Sequence, residues 1–345
     1  MDDDELLSNI IVISGKDKMS LRDMKYRRFP ENSGNLQSFP IEPDTYITSE
    51  LATEKLEKLQ GVLYYNTPKQ YQSLLFYVFD ISTAQSINLK GLGTVNTTIV
   101  FLNTNTTMSP TWSTKITNWS QDRDAVVSLY PGIPQDGQEL INTQIFSNPM
   151  HSDGFDGYFK NVEPFSLSLL TFHLKSYKGC SFNIEPGTVS VDDTTTTAYT
   201  TTGFYMKQIW ETDKVTRINT MKDNKSLGVI GANILGFTIY QSTVSFLVND
   251  GAKILGSQTT IPTDFFAPWS TPNVGSEILI NSTNAISAEY YVQYCVVQGP
   301  GPNTVAPTGS TVTSTTSRHV ETTTKLSGAT STILAVLFLL ISMFS

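Results

Sequence analysis

The sequence predicts an all-β protein: two tandem antiparallel β-sandwich modules, then a disordered Thr-rich stalk and a C-terminal hydrophobic tail. Three observations carry that prediction. Thr, Val, Ile, Tyr and Phe are plentiful while charged residues make up only 16% of the 345-residue chain, a balance that favours pleated, half-buried surfaces over long helices. Short apolar runs are separated by Gly, Asn, Asp and Pro, as in Leu74 to Phe79, Ile87 to Leu89, Leu227 to Ile230, Leu235 to Tyr240 and Glu277 to Ile280. Finally, parts of the chain repeat. Phe39-Pro40-Ile41-Glu42-Pro43-Asp44-Thr45 returns 143 residues later as Phe182-Asn183-Ile184-Glu185-Pro186-Gly187-Thr188, and Thr98 to Leu102 returns 145 residues later as Thr243 to Leu247. Two matches in nearly the same register point to two copies of one module.

Residues 1–38 are expected to be unstructured, or to reflect a misassigned gene start. Met1-Asp2-Asp3-Asp4-Glu5 is acidic where a secretory signal needs positive charge, and Leu6 to Ile13 is a short apolar run followed by charged residues. The helix signal falls on Thr48 to Leu59, with Ser49 as N-cap and Leu51, Leu56 and Leu59 near helical spacing. Residues 39–178 form the first module, ending in the alternating run Phe165 to Leu174, with an insertion around Asn118 to His151. Residues 179–298 form the second, ending in the aromatic and β-branched run Ala288 to Val297. Many short strands with polar turns argue for sandwiches or barrels.

Residues 299–327 change character. Gly299 to Thr324 is Pro, Gly, Ser and Thr with almost no large apolar side chain, so it cannot bury enough surface to offset its ordering entropy. It reads as an extended stalk open to O-glycosylation. Residues 328–345 hold the nearly unbroken apolar run Ile333 to Phe344. As a helix, twelve residues reach only about 18 Å, against roughly 30 Å of bilayer hydrocarbon. Small residues at Ser327-Gly328-Ala329 ahead of that run match a GPI-attachment signal with Ser327 as the lipidated residue, although the spacer is short. The alternative is a tail that stays in the membrane.

Such a tail places the protein on the extracellular face of the plasma membrane. Five N-x-[ST] sequons agree with that route, at Asn96, Asn105, Asn118, Asn224 and Asn281. The acidic start supplies no entry signal, so a cytosolic tail-anchored protein is the competing reading. In an oxidising compartment Cys180 and Cys295 are expected to pair, because they fall just before the first strand and within the last strand of the second module; the alternative is two unrelated buried thiols.

The two modules, the F-x-I-E-P-G-T motif, the final strand Tyr290-Tyr291-Val292-Gln293-Tyr294-Cys295, the Thr-rich stalk and the tail together resemble the nematode CUB-like surface proteins. The resemblance covers residues 39–345 in architecture. It implies jelly-roll sandwiches and a binding role tied to stress or pathogen response. CUB modules usually carry four cysteines, which neither module has, and no matching set of acidic calcium ligands is found, so no metal site is carried over.

The chain offers little catalytic chemistry. It has no H-E-x-x-H, no G-x-S-x-G and no P-loop, and Gly91-Leu92-Gly93 reads as a turn. His319 lies in the stalk, His173 in a strand pattern, and His151 in a loop beside Ser152 and Asp153 without the convergence from separate elements that a triad needs. Asp153, Asp156, Asp192 and Asp193 read as solvated turns, and Trp112, Trp119, Trp210 and Trp269 as covers at the ends of cores or as exposed stacking platforms. A net charge of −8 and a pI near 4.9, without a basic cluster, argue against nucleic acid as a partner. The expected function is non-enzymatic, without cofactor: a membrane-attached glycoprotein that binds a glycan or protein. The rival is a surface hydrolase whose carboxylates are gathered by the fold.

Overall fold

Strand Ala288–Pro300 explains the layout of the protein. Its even-numbered side chains Tyr290, Val292, Tyr294 and Val296 are buried in one cluster; Tyr291 is buried in a second and Cys295 in a third. Both faces of the strand are therefore covered, and the near-continuous apolar run follows from that. The computed structural model describes residues 3–30, 32–57, 61–90, 96–104, 113–134, 144–152, 155–187, 193–195, 200–209, 211–212, 215–219, 226–238, 243–250, 252–259, 267–270, 275–283, 288–300 and 335–341.

These residues are mostly strand, in several antiparallel sheets. A seven-stranded sheet runs in the order Phe146–Asn148, Val126–Pro131, Thr171–Tyr177, Thr97–Asn103, Phe76–Ile81, Asn32–Leu36, Arg28–Phe29. One of its pairings, Thr97–Asn103 with Phe76–Ile81, is parallel. A four-stranded sheet runs Phe165–Leu167, Ser113–Gln121, Cys180–Gly187, Gln85–Asn88. Alternate residues of both meet in one core, where Phe101 stacks on Phe79 at 5.6 Å and on Phe172 at 5.1 Å. Trp119 stacks on Phe182 at 5.3 Å in the same core.

The second half has a five-stranded sheet, Asp193–Thr195, Val215–Asn219, Glu277–Thr283, Thr243–Asp250, Lys253–Thr259, and a four-stranded one, Thr201–Lys207, Ala288–Pro300, Ser226–Thr238, Ala267–Ser270. Ile218, Val244, Phe246, Ile278 and Ile280 face Tyr205, Tyr290 and Val292 between them. Phe204, Met206, Leu235 and Tyr291 project from the other face of this four-stranded sheet into the core of the first half. One sheet thus serves two cores.

Several expectations are corrected. Of residues 1–38, the described 3–30 and 32–38 are not unstructured: helices Asp3–Ser8 and Leu21–Tyr26 and strand Ile10–Ser14 bury Leu6, Leu7, Ile10, Val12 and Leu21 together. Arg28 and Asn35 then tie this segment to the seven-stranded sheet through Asp80 (2.8 Å) and the Val78 N–H (3.0 Å). Of the helix expected over Thr48 to Leu59, the described residues 48–57 hold only the single turn Thr53–Leu56, because Tyr46–Ser49 is taken as a strand beside Ile10–Ser14. The boundary expected between 178 and 179 falls after strand Cys180–Gly187, which pairs with strands of the first half. The repeat does not mark equivalent positions. Phe39–Ile41 and Cys180–Gly187 lie in different kinds of sheet, and Thr97–Asn103 has a parallel neighbour where Thr243–Asp250 has two antiparallel ones.

The same boundary shift corrects the disulfide. Cys180 and Cys295 are free, buried thiols. Cys180 packs with Phe182 and Ile184 in the first core, whereas Cys295 packs with Met150, Phe159 and Val297. Burial raises both thiols, Cys295 to about 11. The stalk, Ser327 and most of residues 328–345 lie outside the described residues; Ala335–Ile341 is a strand between Phe39–Ile41 and Gly61–Asn66. Among the described residues no helix is long and apolar enough to cross a membrane.

Candidate functional site

The three-stranded sheet of Asp17–Ser20, Ile10–Ser14 and Tyr46–Ser49 turns one face inward and leaves the other open. Alternation decides which. Ile10, Val12 and Ser14 are buried, so Ile11 and Ile13 face outward. They lie opposite Ser20 and Lys18 on one side and Thr48 and Tyr46 on the other. With Ser8, Asn9, Arg22, Asp23, Ser49 and Glu50 they line a groove of about 880 Å³. Its floor is apolar and its rim carries hydroxyls, an amide and charges of both signs, a mixture suited to a neutral polar ligand with an apolar face. Helix Leu21–Tyr26 fixes one wall: Ser20 caps it by accepting the Asp23 N–H at 3.0 Å. The open-face residues escaped sequence reasoning because the acidic start masked a strand of only five residues, and because Ile10-Ile11-Val12-Ile13 is continuously apolar, so polarity does not tell its two faces apart.

A second, buried group of ionisable residues lies where the shared sheet ends. Lys207 is fully buried and donates to the Gln208 and Ala288 carbonyls at 2.9 and 3.3 Å. Glu289 accepts a hydrogen bond from the Tyr291 hydroxyl. Burial raises the Glu289 carboxyl above its usual range, against the pull of Tyr291 and Lys207. Glu211 accepts the Gln208 N–H at 3.2 Å. Burial also holds the Tyr290 and Tyr291 phenols well above their usual range. A Lys and a Glu set inside aromatic runs were the available signal, and neither stood out without the strand partners.

The structure separates the sequence candidates. Asn96 is exposed just before Thr97–Asn103. Asn118 is exposed at a bulge, with φ of 54°, a left-handed conformation that Asn tolerates better than most residues. Asn281 is exposed on the middle strand of the five-stranded sheet. Asn105, Asn224, Trp112, Trp210, His319, Asp153 and Asp192 lie outside the described residues. His151 is exposed, and its carbonyl accepts from Asn233 at 2.7 Å. His173 is buried in its strand, stacked on Tyr130 at 5.1 Å with Nδ1 2.9 Å from the Gly132 carbonyl; burial pushes it down to about 4. Trp119 is a core residue whose Nε1 donates to Gln121 at 3.1 Å. Among the described residues no group of three or more His, Cys, Asp or Glu is placed to hold a metal.

Comparison with known proteins adds a family. Residues 1–342 match the sequence model of a family described as "Transmembrane glycoprotein"; no CUB-like family model matches. No curated protein matches the sequence. Among solved structures, the extracellular region of zebrafish Gpr126/Adgrg6 is similar over 66% of this chain and 34% of that one, at 10% identity and a TM-score of 0.21. The insecticidal delta-endotoxin Cry8Ea1 of Bacillus thuringiensis is similar over 51% and 42%, at 7% identity and a TM-score of 0.19. The VP2 subviral particle of infectious bursal disease virus is similar over 83% and 82%, at 8% identity and a TM-score of 0.16. The chain thus spans 34% and 42% of the first two structures, and likenesses this distant carry no argument.

Proposed function

This chain belongs to the transmembrane glycoprotein family, and on that premise we propose that it is a non-enzymatic cell-surface protein that binds a glycan or protein partner. The groove over Ile11 and Ile13 carries the binding reading. It is open to solvent and combines an apolar floor with a hydrophilic rim. By contrast, Lys207 and one carboxylate oxygen each of Glu211 and the half-buried Glu289 are engaged with neighbouring backbone and side chains, which suits a structural role better than the hydrolase alternative. The exposed sequons at Asn96, Asn118 and Asn281 support an extracellular route, and the run Ile333 to Phe344 is the proposed membrane attachment, through GPI at Ser327 or as a retained tail; in this reading Ala335–Ile341 gives up its pairing with Phe39–Ile41 and Gly61–Asn66 when the tail is cleaved or enters the bilayer. The sandwich modules of this reading are the two pairs of sheets.

Two measurements test it. Membranes carrying the native protein are treated with a phosphatidylinositol-specific phospholipase. Release supports the lipid anchor, retention supports a tail held in the bilayer, and a chain found free in the soluble fraction with 335–341 still attached sinks the anchor. For binding, the purified full-length protein is screened against a glycan array. Filling the groove with Thr48→Trp is expected to abolish any binding found; full binding by that variant removes the groove from the proposal.

A further inference from the structure

Strand Glu277–Thr283 is the middle strand of the five-stranded sheet, and it carries the Asn281 sequon. Ile278, Ile280 and Ser282 are buried beneath it, so Leu279 and Asn281 point outward. Asn281 stands between Val215 and Ser245 on the neighbouring strands, and one pleat along Leu279 stands between Arg217 and Leu247. Val215 is 42% exposed, and Leu247 and Leu279 are partly exposed. Strands lie about 5 Å apart and alternate residues about 7 Å apart, so all three apolar side chains fall within one pleat of the Asn281 amide. Beside Leu279, Arg217 pairs with Glu277 at 3.9 Å, and one pleat further along Asn249 donates to Glu277 at 2.9 Å. The sequon thus opens onto an apolar stripe with a polar far edge.

We infer that an N-linked glycan on Asn281 is a structural cover for this face, its first sugar rings lying across Val215, Leu279 and Leu247. A pyranose ring suits the place: its C–H face is apolar, and its hydroxyls project at the edge toward Arg217, Glu277 and Asn249. The sugar keeps the stripe from water and from other chains, where a flat apolar face on a central strand invites association. Among the described residues, the other exposed sequons show no such surroundings. Asn118 sits at a bulge where the Ser120 hydroxyl accepts from Lys90 at 2.9 Å, and Asn96 precedes its strand. The inference rests on the cell-surface reading above.

The test uses the full chain made in a glycosylating secretory host, with site occupancy read by mass spectrometry after enzymatic deglycosylation. Asn281 is expected to be occupied. Asn281→Gln and, independently, Thr283→Ala are expected to lower Tm, on the order of 3 °C, and to increase self-association; Asn96→Gln is expected to change neither. Adding Val215→Thr and Leu279→Thr to Asn281→Gln should restore the monomer, and this keeps the inference testable if the single variants fold poorly. A bare Asn281 beside occupied Asn96 and Asn118 overturns the cover and leaves the surface reading standing. All three bare overturns the surface reading itself. An occupied Asn281 whose removal changes neither Tm nor association also overturns the cover.

Discussion

His173 illustrates how burial sets a residue's chemistry. Its imidazole is only 6% exposed, between the Tyr130 ring and the Gly132 carbonyl, with the Lys175 ammonium also near that ring at 5.5 Å. Burial penalises its charged form first, and Lys175 adds to the penalty, so the folded-state value falls from 6.5 to about 4. A depressed value means that the unfolded chain takes up the proton first on acidification. The contribution is therefore complete above pH 6.5 and is lost progressively as pH falls to about 4, a total of about 3 kcal/mol. His173→Gln keeps a donor for Gly132 and removes the titration. Urea unfolding across this window is expected to show a correspondingly flatter pH dependence for the variant, and an unchanged slope would remove His173 as its source. The strand around His173 was legible from alternation at Phe165 to Leu174, but its surroundings were not, because Tyr130 and Gly132 reach it only through pairing across more than forty residues of sequence.

Turn chemistry and pairing decide the elements. Phe165 to Leu174 reads as one strand but is two, Phe165–Leu167 and Thr171–Tyr177, which belong to different sheets. Conversely, two apolar runs separated by Gly231, Ala232, Asn233 and Ile234 form the single strand Ser226–Thr238, held along its whole length by Ala288–Pro300. Periodicity finds apolar faces, yet it cannot tell which partner will complete a ladder. The turn at Lys178-Gly179 joins the two halves of the first core and has both residues left-handed, at φ of 61° and 73°. A Cβ at Gly179 would stand 1.9 Å from the Leu89 carbonyl oxygen, which itself belongs to the backbone and cannot swing aside. Gly179→Ala is therefore expected to cost about 2 kcal/mol or more, read as a lowered denaturant midpoint. Wild-type stability in that variant would mean the turn relaxes freely.

At the scale of the molecule, the two halves are joined by a sheet buried on both faces. Phe204 meets Phe165 at 5.6 Å and Phe146 at 6.4 Å across the junction. Beside them, Gln293 donates to the Ser147 carbonyl at 2.7 Å and accepts the Ser147 N–H at 3.0 Å. Removing the Phe204 ring should cost about 3–5 kcal/mol. Because the ring belongs to a core that draws on both halves, Phe204→Ala is expected to shift both together. Hydrogen exchange along Thr97–Asn103 would report the first half, and along Thr243–Asp250 the second. A shift confined to one half would mean that the halves fold independently.

The amino-acid sequence by itself determined the β class, the alternating faces, the positions of the sequons and the apolar composition of the tail. These are local properties, set by side-chain polarity and strand period. Tertiary structure alone decided the rest. It gave residues 3–30 and 32–38 an ordered body and a groove, moved Cys180 into the core away from Cys295, and placed the last strand of the second half between two cores. Each outcome depends on which strand pairs with which, and that choice is made by the area buried between segments far apart in the chain, which no local pattern encodes.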